Sequence, residues 1–165
     1  MKRYCLYLFI LIGISCSAEL KAQKNGTVYK GNDPAVRYTG RTLVSPDGSV
    51  AFDWVGTYLE TRFTGGKLSV KVSETGTSYY NVFVDGKLHK VVKVCGTDTL
   101  IHLVSGIDKR IHSLKIQKRS EGEFGKTTVH QFVLSGSGRL AEEPAVRTRH
   151  IEFIGNSLTC GYGTD

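Results

Sequence analysis

The sequence predicts a mainly β protein, a β-sandwich or jelly roll, that changes character near its end. Three observations predict it. Apolar and polar residues alternate along several short runs, turn residues separate these runs, and no long stretch carries a helical period. A period of two buries one face of a strand and wets the other. Regularly spaced short strands of this kind indicate a sandwich or jelly roll.

The first residues stand apart from this pattern. Lys2 and Arg3 precede an uncharged apolar run, Tyr4 to Ile14, and the small residues Cys16, Ser17 and Ala18 follow. Basic, apolar, then small is the layout of a secretory signal peptide. The run is shorter than the roughly 20 apolar residues of a transmembrane helix. Residues 1–22 are therefore expected to be a leader, cut after Ala18 or Ala22, and the protein is expected to be secreted or periplasmic. The alternative is a lipid anchor on Cys16, which Gly13 three residues earlier disfavours.

Strands are then expected through residues 23–138. Val50, Phe52 and Trp54 alternate with Ala51 and Asp53. Leu68, Val70 and Val72 form a second run, and Tyr80, Val82 and Val84 a third. Further strands are expected at 57–63, 88–94, 98–104, 111–118 and 127–134. Pro46-Asp47-Gly48, Gly65-Gly66 and Asp85-Gly86 read as turns. The last is a hairpin signal, because glycine tolerates the positive φ of a tight turn. Trp54, in phase with Val50 and Phe52, is expected in the core. Trp54, Tyr58, Tyr79 and Tyr80 are also the residues suited to stack on sugar rings. Tyr79 and Tyr80 face opposite ways, so at most one of them can serve.

Charge and cysteine usage narrow the function classes. The net charge is +7, and without residues 1–22 it is +5, from 19 basic and 14 acidic side chains. The positive charges are scattered among the strands, which argues for a solvated surface and against a nucleic-acid partner. Cys5 and Cys16 fall in the leader, which leaves Cys95 and Cys160. Two distant cysteines make no disulfide framework. No pairing of Cys or His has zinc spacing, and no metal or other cofactor is expected.

Ser135-Gly136-Ser137-Gly138 closes the strand pattern, and residues 139–149 read as a polar linker. A different unit begins at residue 150. Ile151-Glu152-Phe153-Ile154 reads as a short buried strand leading into Gly155-Asn156-Ser157-Leu158-Thr159-Cys160-Gly161-Tyr162-Gly163. A strand feeding a glycine-containing turn and a helix start opens an α/β unit. Residues 150–165 are thus expected to be the N-terminal fragment of an α/β domain, its other strands lying outside this sequence.

Ser157 is the candidate nucleophile. A serine hydroxyl needs a base to take its proton and donors for the oxyanion that forms in acyl transfer. A strand-to-helix turn would offer the Ser157 backbone N–H as one such donor. Gly155 permits the sharp turn, and Asn156 can hydrogen-bond locally to support it. The competing role for Ser157 is a plain helix cap. Cys160, one helical turn on, reads as a core thiol. His89, His102, His112 and His130 lie in expected strands, where a satisfied or surface histidine is the better assignment. His150 lies about 20 Å from Ser157 along extended chain, too far to serve as its base. Asn25-Gly26-Thr27 matches a glycosylation sequon.

The turn residues resemble a known block. Ile154-Gly155-Asn156-Ser157-Leu158-Thr159 with Gly161-Tyr162-Gly163 resembles the first sequence block of the SGNH (GDSL-type) hydrolases, with Asn156 where the commonest form has Asp. It is not the G-x-S-x-G elbow of ordinary α/β-hydrolases. Upstream, Gly40-Arg41, Phe52 to Tyr58, Arg62 to Gly65, and Tyr79-Tyr80 through Gly86 resemble the N-terminal β-domain of carbohydrate esterase family 2. The resemblance implies a jelly roll ahead of an SGNH domain. It also implies removal of O-acetyl groups from plant polysaccharides or their fragments, with Ser157 as nucleophile. The histidine base and the remaining oxyanion donors would lie in later blocks outside this sequence, so these residues alone are expected to turn over negligibly. The alternative function is a non-catalytic carbohydrate-binding module.

Overall fold

The structure, a computed structural model, describes residues 26–141, 148, 149, 151 and 153–160. The expected leader, Asn25, His150 and Gly161 to Gly163 lie outside the described residues. Seven strands follow in order: β1 (Thr27–Lys30), β2 (Val36–Thr39), β3 (Leu43–Val44), β4 (Val50–Phe52), β5 (Tyr58–Val84), β6 (Lys87–Lys118) and β7 (Thr127–Leu134). A 3-10 turn spans Gly122–Phe124, and a single helical turn, α1, spans Ser157–Cys160. Among the described residues no helix is long and apolar enough to cross a membrane.

All strand pairs are antiparallel and belong to one curled sheet. Two strands pass from one layer of the sandwich to the other. In the first layer, β2 pairs with residues 58–61 of β5, whose limb to residue 64 pairs with 111–117 of β6. Residues 80–84 of β5 then lie between that β6 limb and residues 87–92. In the second layer, β3 pairs with β4, and β4 and β1 share one edge of β7. The other edge of β7 takes residues 68–74 of β5, which pair outward with residues 96–104 of β6. The inner faces meet in one core, where Phe63, Leu68, Val82, Leu103, Phe132 and Leu134 are all fully buried. Burial of each such side chain is worth about 1.5–3 kcal/mol.

The hairpin at Asp85-Gly86 forms as expected, with φ of 50° and 76°, the two positive values of a tight type I′ turn. Pro46-Asp47-Gly48 also turns the chain, with Ser45 N–H donating to Ser49 O at 2.9 Å and Gly48 N–H to Ser45 O at 2.9 Å. Gly65-Gly66 does not. It is an irregularity within β5, where the register against β6 shifts and the strand crosses between layers. Gly66 has φ 102°, and a Cβ there would lie 2.6 Å from Ser135 O. Close approach of the neighbouring backbone, rather than chain reversal, is what needs glycine here. The expected strands 88–94, 98–104 and 111–118 likewise join into the single strand β6, through Gly96 and Gly106 at φ 78° and 71°.

Trp54 departs from expectation. It is 60% exposed, not in the core. The alternation ends with β4 at Phe52, and Thr57 N–H closes a turn onto Trp54 O at 3.3 Å. A period-two argument holds only while the chain stays extended. The indole instead carries the Arg41 guanidinium 5.7 Å from its ring centroid.

The expected strand over 151–154 is also absent from the described residues. Ile151, Phe153 and Ile154 carry no strand and are 82%, 81% and 90% exposed. No neighbouring strand among the described residues supplies the ladder bonds that would hold it extended.

Candidate functional site

Ser157 is the first residue of α1 and is exposed. The turn before it is built locally. Asn156 Oδ1 accepts from Leu158 N–H at 3.1 Å, and Asn156 O accepts from Thr159 N–H at 3.0 Å. Asn156 thus makes the capping bond expected of a residue just ahead of a helix. Gly155 is required because a Cβ there would run into the Thr159 side chain, which folds back over the turn. The three residues named from sequence therefore form one turn. The Cys160 side chain lies outside the described residues.

The four described histidines lie in strands β6 and β7. His89 is exposed, and His102 Nδ1 shares a hydrogen bond with Ser69 Oγ at 2.9 Å. His130 Nε2 shares one with Ser73 Oγ at 2.8 Å. His112 is fully buried against Phe63, with ring centroids 5.8 Å apart. Its Nδ1 lies 2.7 Å from Asp85 Oδ2 and its Nε2 2.9 Å from Asp108 Oδ1. A carboxylate only accepts, so both ring nitrogens must donate and the ring is an imidazolium. Burial works against that charge, but the hydrogen bonds His112 donates to the two carboxylates prevail and raise its pKa above 6.5. Asp85 is lowered below 3.8, first by its bond to His112 and then by the Ser113 N–H. Asp108 is lowered too, chiefly by the Arg110 N–H.

This bracket ties the 85–86 hairpin to residue 108 of β6, and it makes stability depend on pH. A raised histidine pKa adds stability that is whole below 6.5 and is lost as pH rises through the folded value. A lowered aspartate pKa adds stability that is whole above 3.8 and is lost as pH falls through the folded value. The melting midpoint is therefore expected to peak between these limits. His112→Gln should flatten the alkaline side of a melting-temperature profile; an unchanged profile would show that the bracket does not stabilise the fold.

A second buried polar group plugs one end of the core. Lys118 Nζ donates to Ser78 Oγ at 2.6 Å and to Gly125 O at 3.1 Å. Burial lowers its pKa, opposed by the Glu74 carboxylate. Thr127 Oγ1 donates to Glu74 Oε2 and shares a bond with Tyr80 Oη, and burial raises the Tyr80 pKa. Every member has a partner, as buried polar groups require. Among the described residues no group of His, Cys, Asp and Glu is arranged to hold a metal ion.

The outward face of the first layer carries aromatic and cationic groups. Lys115 Nζ sits 4.0 Å from the centroid of Tyr58 and 6.0 Å from that of Phe83. Tyr79 is 44% exposed while Tyr80 is buried, so the two do face opposite ways. Sequence reasoning missed the buried roles of His112 and Lys118. Asp85, Ser78 and Gly125 lie 27, 40 and 7 positions away and outside β6, so the folded sheet is what brings them to these side chains.

The sandwich has relatives. The sequence family described as carbohydrate esterase 2 N-terminal matches residues 38–144. The chain belongs to this family. Over 134 residues it is 34% identical to a cellulase/esterase, CelE, of Acetivibrio thermocellus, spanning 81% of this chain and 16% of that protein. Over 135 residues it is 29% identical to an acetylxylan esterase/glucomannan deacetylase of Cellvibrio japonicus, spanning 81% of this chain and 37% of that protein. The chain thus spans well under half the length of these relatives. A family two carbohydrate esterase from Clostridium thermocellum, solved with cellohexaose, superposes with a TM-score of 0.71 at 34% identity, covering 78% of this chain and 39% of that one. A carbohydrate-binding module solved with calcium and xylotriose shares the sandwich fold at 14% identity and a TM-score of 0.51, covering 70% of this chain and 99% of that one.

Proposed function

We propose that this chain belongs to a secreted serine esterase that removes O-acetyl groups from plant polysaccharides. Membership of the carbohydrate esterase 2 N-terminal family is the observation that carries the reading. Likeness to an acetylxylan esterase/glucomannan deacetylase supports the ester and the class of substrate. The capped Gly155-Asn156-Ser157 turn supports the nucleophile.

In this mechanism Ser157 Oγ attacks the acetyl carbonyl while a histidine takes its proton. The sugar oxygen leaves and collects that proton, which gives an acetyl-serine. Water, deprotonated by the same histidine, then attacks, acetate departs, and the proton returns to Ser157. The Ser157 N–H is one oxyanion donor. The base is none of His89, His102, His112 and His130, which the sandwich strands hold. Domains follow accordingly: a leader at 1–22, the sandwich at 23–138, a linker at 139–149 whose first residues, 139–141, instead bond along the sandwich edge and bury Leu140, and the start of the catalytic unit at 150–165. The test is acetate release from acetylated xylan and from a simple acetyl ester by the protein that contains this chain. No release from either would overturn the reading.

A second reading, glycan binding by the sandwich, is favoured by the exposure of Trp54 and Tyr79. Trp54→Ala should leave stability within about 0.5 kcal/mol, since the ring is outside the core. Weaker retention of the variant on xylan in affinity electrophoresis would support binding through this ring; unchanged retention would exclude it.

A further inference from the structure

At the edge of the first layer, β2 covers residues 58–61 of β5 and then stops. Residues 139–141 take its place. Ala141 N–H donates to Arg62 O at 2.7 Å, Thr64 N–H donates to Arg139 O at 2.9 Å, and Phe63 and Leu140 form an antiparallel bridge. Leu140 N–H is also held by Tyr29 Oη at 3.2 Å. Phe63 and Leu140 point into the core, so Arg62, Thr64 and Arg139 stand on the outward side. Two adjoining clefts, of about 390 and 200 Å³, open there and share Thr64 and Arg139. Arg62 and Ile111 line the larger, and Lys109 lines the smaller. Arg62, Arg139 and Lys109 are exposed, and among the described residues none of the three makes an ion pair. By contrast Arg37, on the same face, holds Glu60 at 2.8 Å, and Arg110 holds Asp108 at 3.1 Å.

We propose that this cleft binds the carboxylate of an acidic sugar, a uronic acid unit borne by the polysaccharide. Two guanidiniums and an ammonium that make no ion pair among the described residues suit an anion, and the planar guanidinium fork suits a carboxylate. The Thr64 hydroxyl already accepts from Arg139 N–H at 3.2 Å and donates to Arg139 O at 3.4 Å, which leaves it one lone pair to accept from a sugar hydroxyl. Ile111, 51% exposed, offers an apolar surface to the C–H face of the ring. The larger cleft has room for a monosaccharide. The backbone bonds above hold both arginines on a fixed edge, so the site exists before the ligand arrives. The sugar as the source of the anion rests on the polysaccharide reading above.

The test is calorimetric titration of the full chain with glucuronosyl-xylotriose, with neutral xylotetraose and with inorganic phosphate. The expected result is binding of the acidic oligosaccharide at least about tenfold tighter than either of the others. Arg62→Gln and Arg139→Gln should each weaken it about tenfold, while Lys93→Gln, which removes an equal charge from an exposed site elsewhere, should change it less than about twofold. Lys109→Gln alters an exposed side chain of β6 and gives the same answer should an arginine variant unfold. Equal binding of neutral xylotetraose, equal binding of phosphate, or indifference to all three substitutions would overturn the proposal. Acetate release is scored separately. Release without uronate binding would sink the cleft alone, and uronate binding without release would sink the esterase reading alone.

Discussion

Ser157→Ala, in the protein that carries this chain, is expected to lower acetate release by about three to six orders of magnitude. The size follows from the chemistry. Without Oγ no acetyl-enzyme forms, and the difficult ester cleavage is no longer divided into two easier steps. What remains is oxyanion stabilisation and substrate binding, which still hold some rate above that in water. The KM for acetylated xylan should change little, because Oγ contributes mainly to the transition state. Mass spectrometry of the parent quenched during turnover should find an acetyl group on Ser157, and the variant should show none. A variant as active as the parent would reduce Ser157 to a helix cap. The substitution is safe for the fold. Ser157 is exposed, and Asn156 makes the capping bond to Leu158.

The fold and the site were legible in the sequence to different depths. Alternation along 68–72 and 80–84 found buried faces, because burial of every second side chain is a local property of an extended chain. Asp85-Gly86 was legible because a type I′ turn needs two positive φ values in sequence. Gly65-Gly66 misled because glycine serves a reversal and a close backbone contact equally well, and only the neighbouring Ser135 decides between them. Trp54 misled because alternation does not announce where a strand ends. The Gly155-Asn156-Ser157 turn was legible as a motif, because the bonds of Asn156 to Leu158 and Thr159 are local. His112 and the basic cleft were not. Asp85 lies 27 positions from His112, and Thr64 lies 75 from Arg139, so each is assembled by strand register alone.

Phe63 is where these long-range features converge. It is fully buried, bridges to Leu140 and packs on the His112 ring. Phe63→Ala is expected to cost about 3–5 kcal/mol, the loss of a buried aromatic plus the cavity it leaves. A domain of this size has about 5–15 kcal/mol of stability, so the variant should unfold well below the parent in urea. The cost should exceed that of a mere void. The ring covers one side of an imidazolium, and water let in beside it would weaken the bonds to Asp85 and Asp108. The alkaline limb of the stability profile should therefore flatten in Phe63→Ala as it does in His112→Gln. Phe124→Ala supplies the control, because that ring is 55% exposed and its loss should cost less than about 0.5 kcal/mol. Equal urea midpoints for the two phenylalanine variants would show that this corner does not hold the sandwich together. A lower midpoint with the pH profile unchanged would separate packing from the charged bracket and assign the stability to the ring alone.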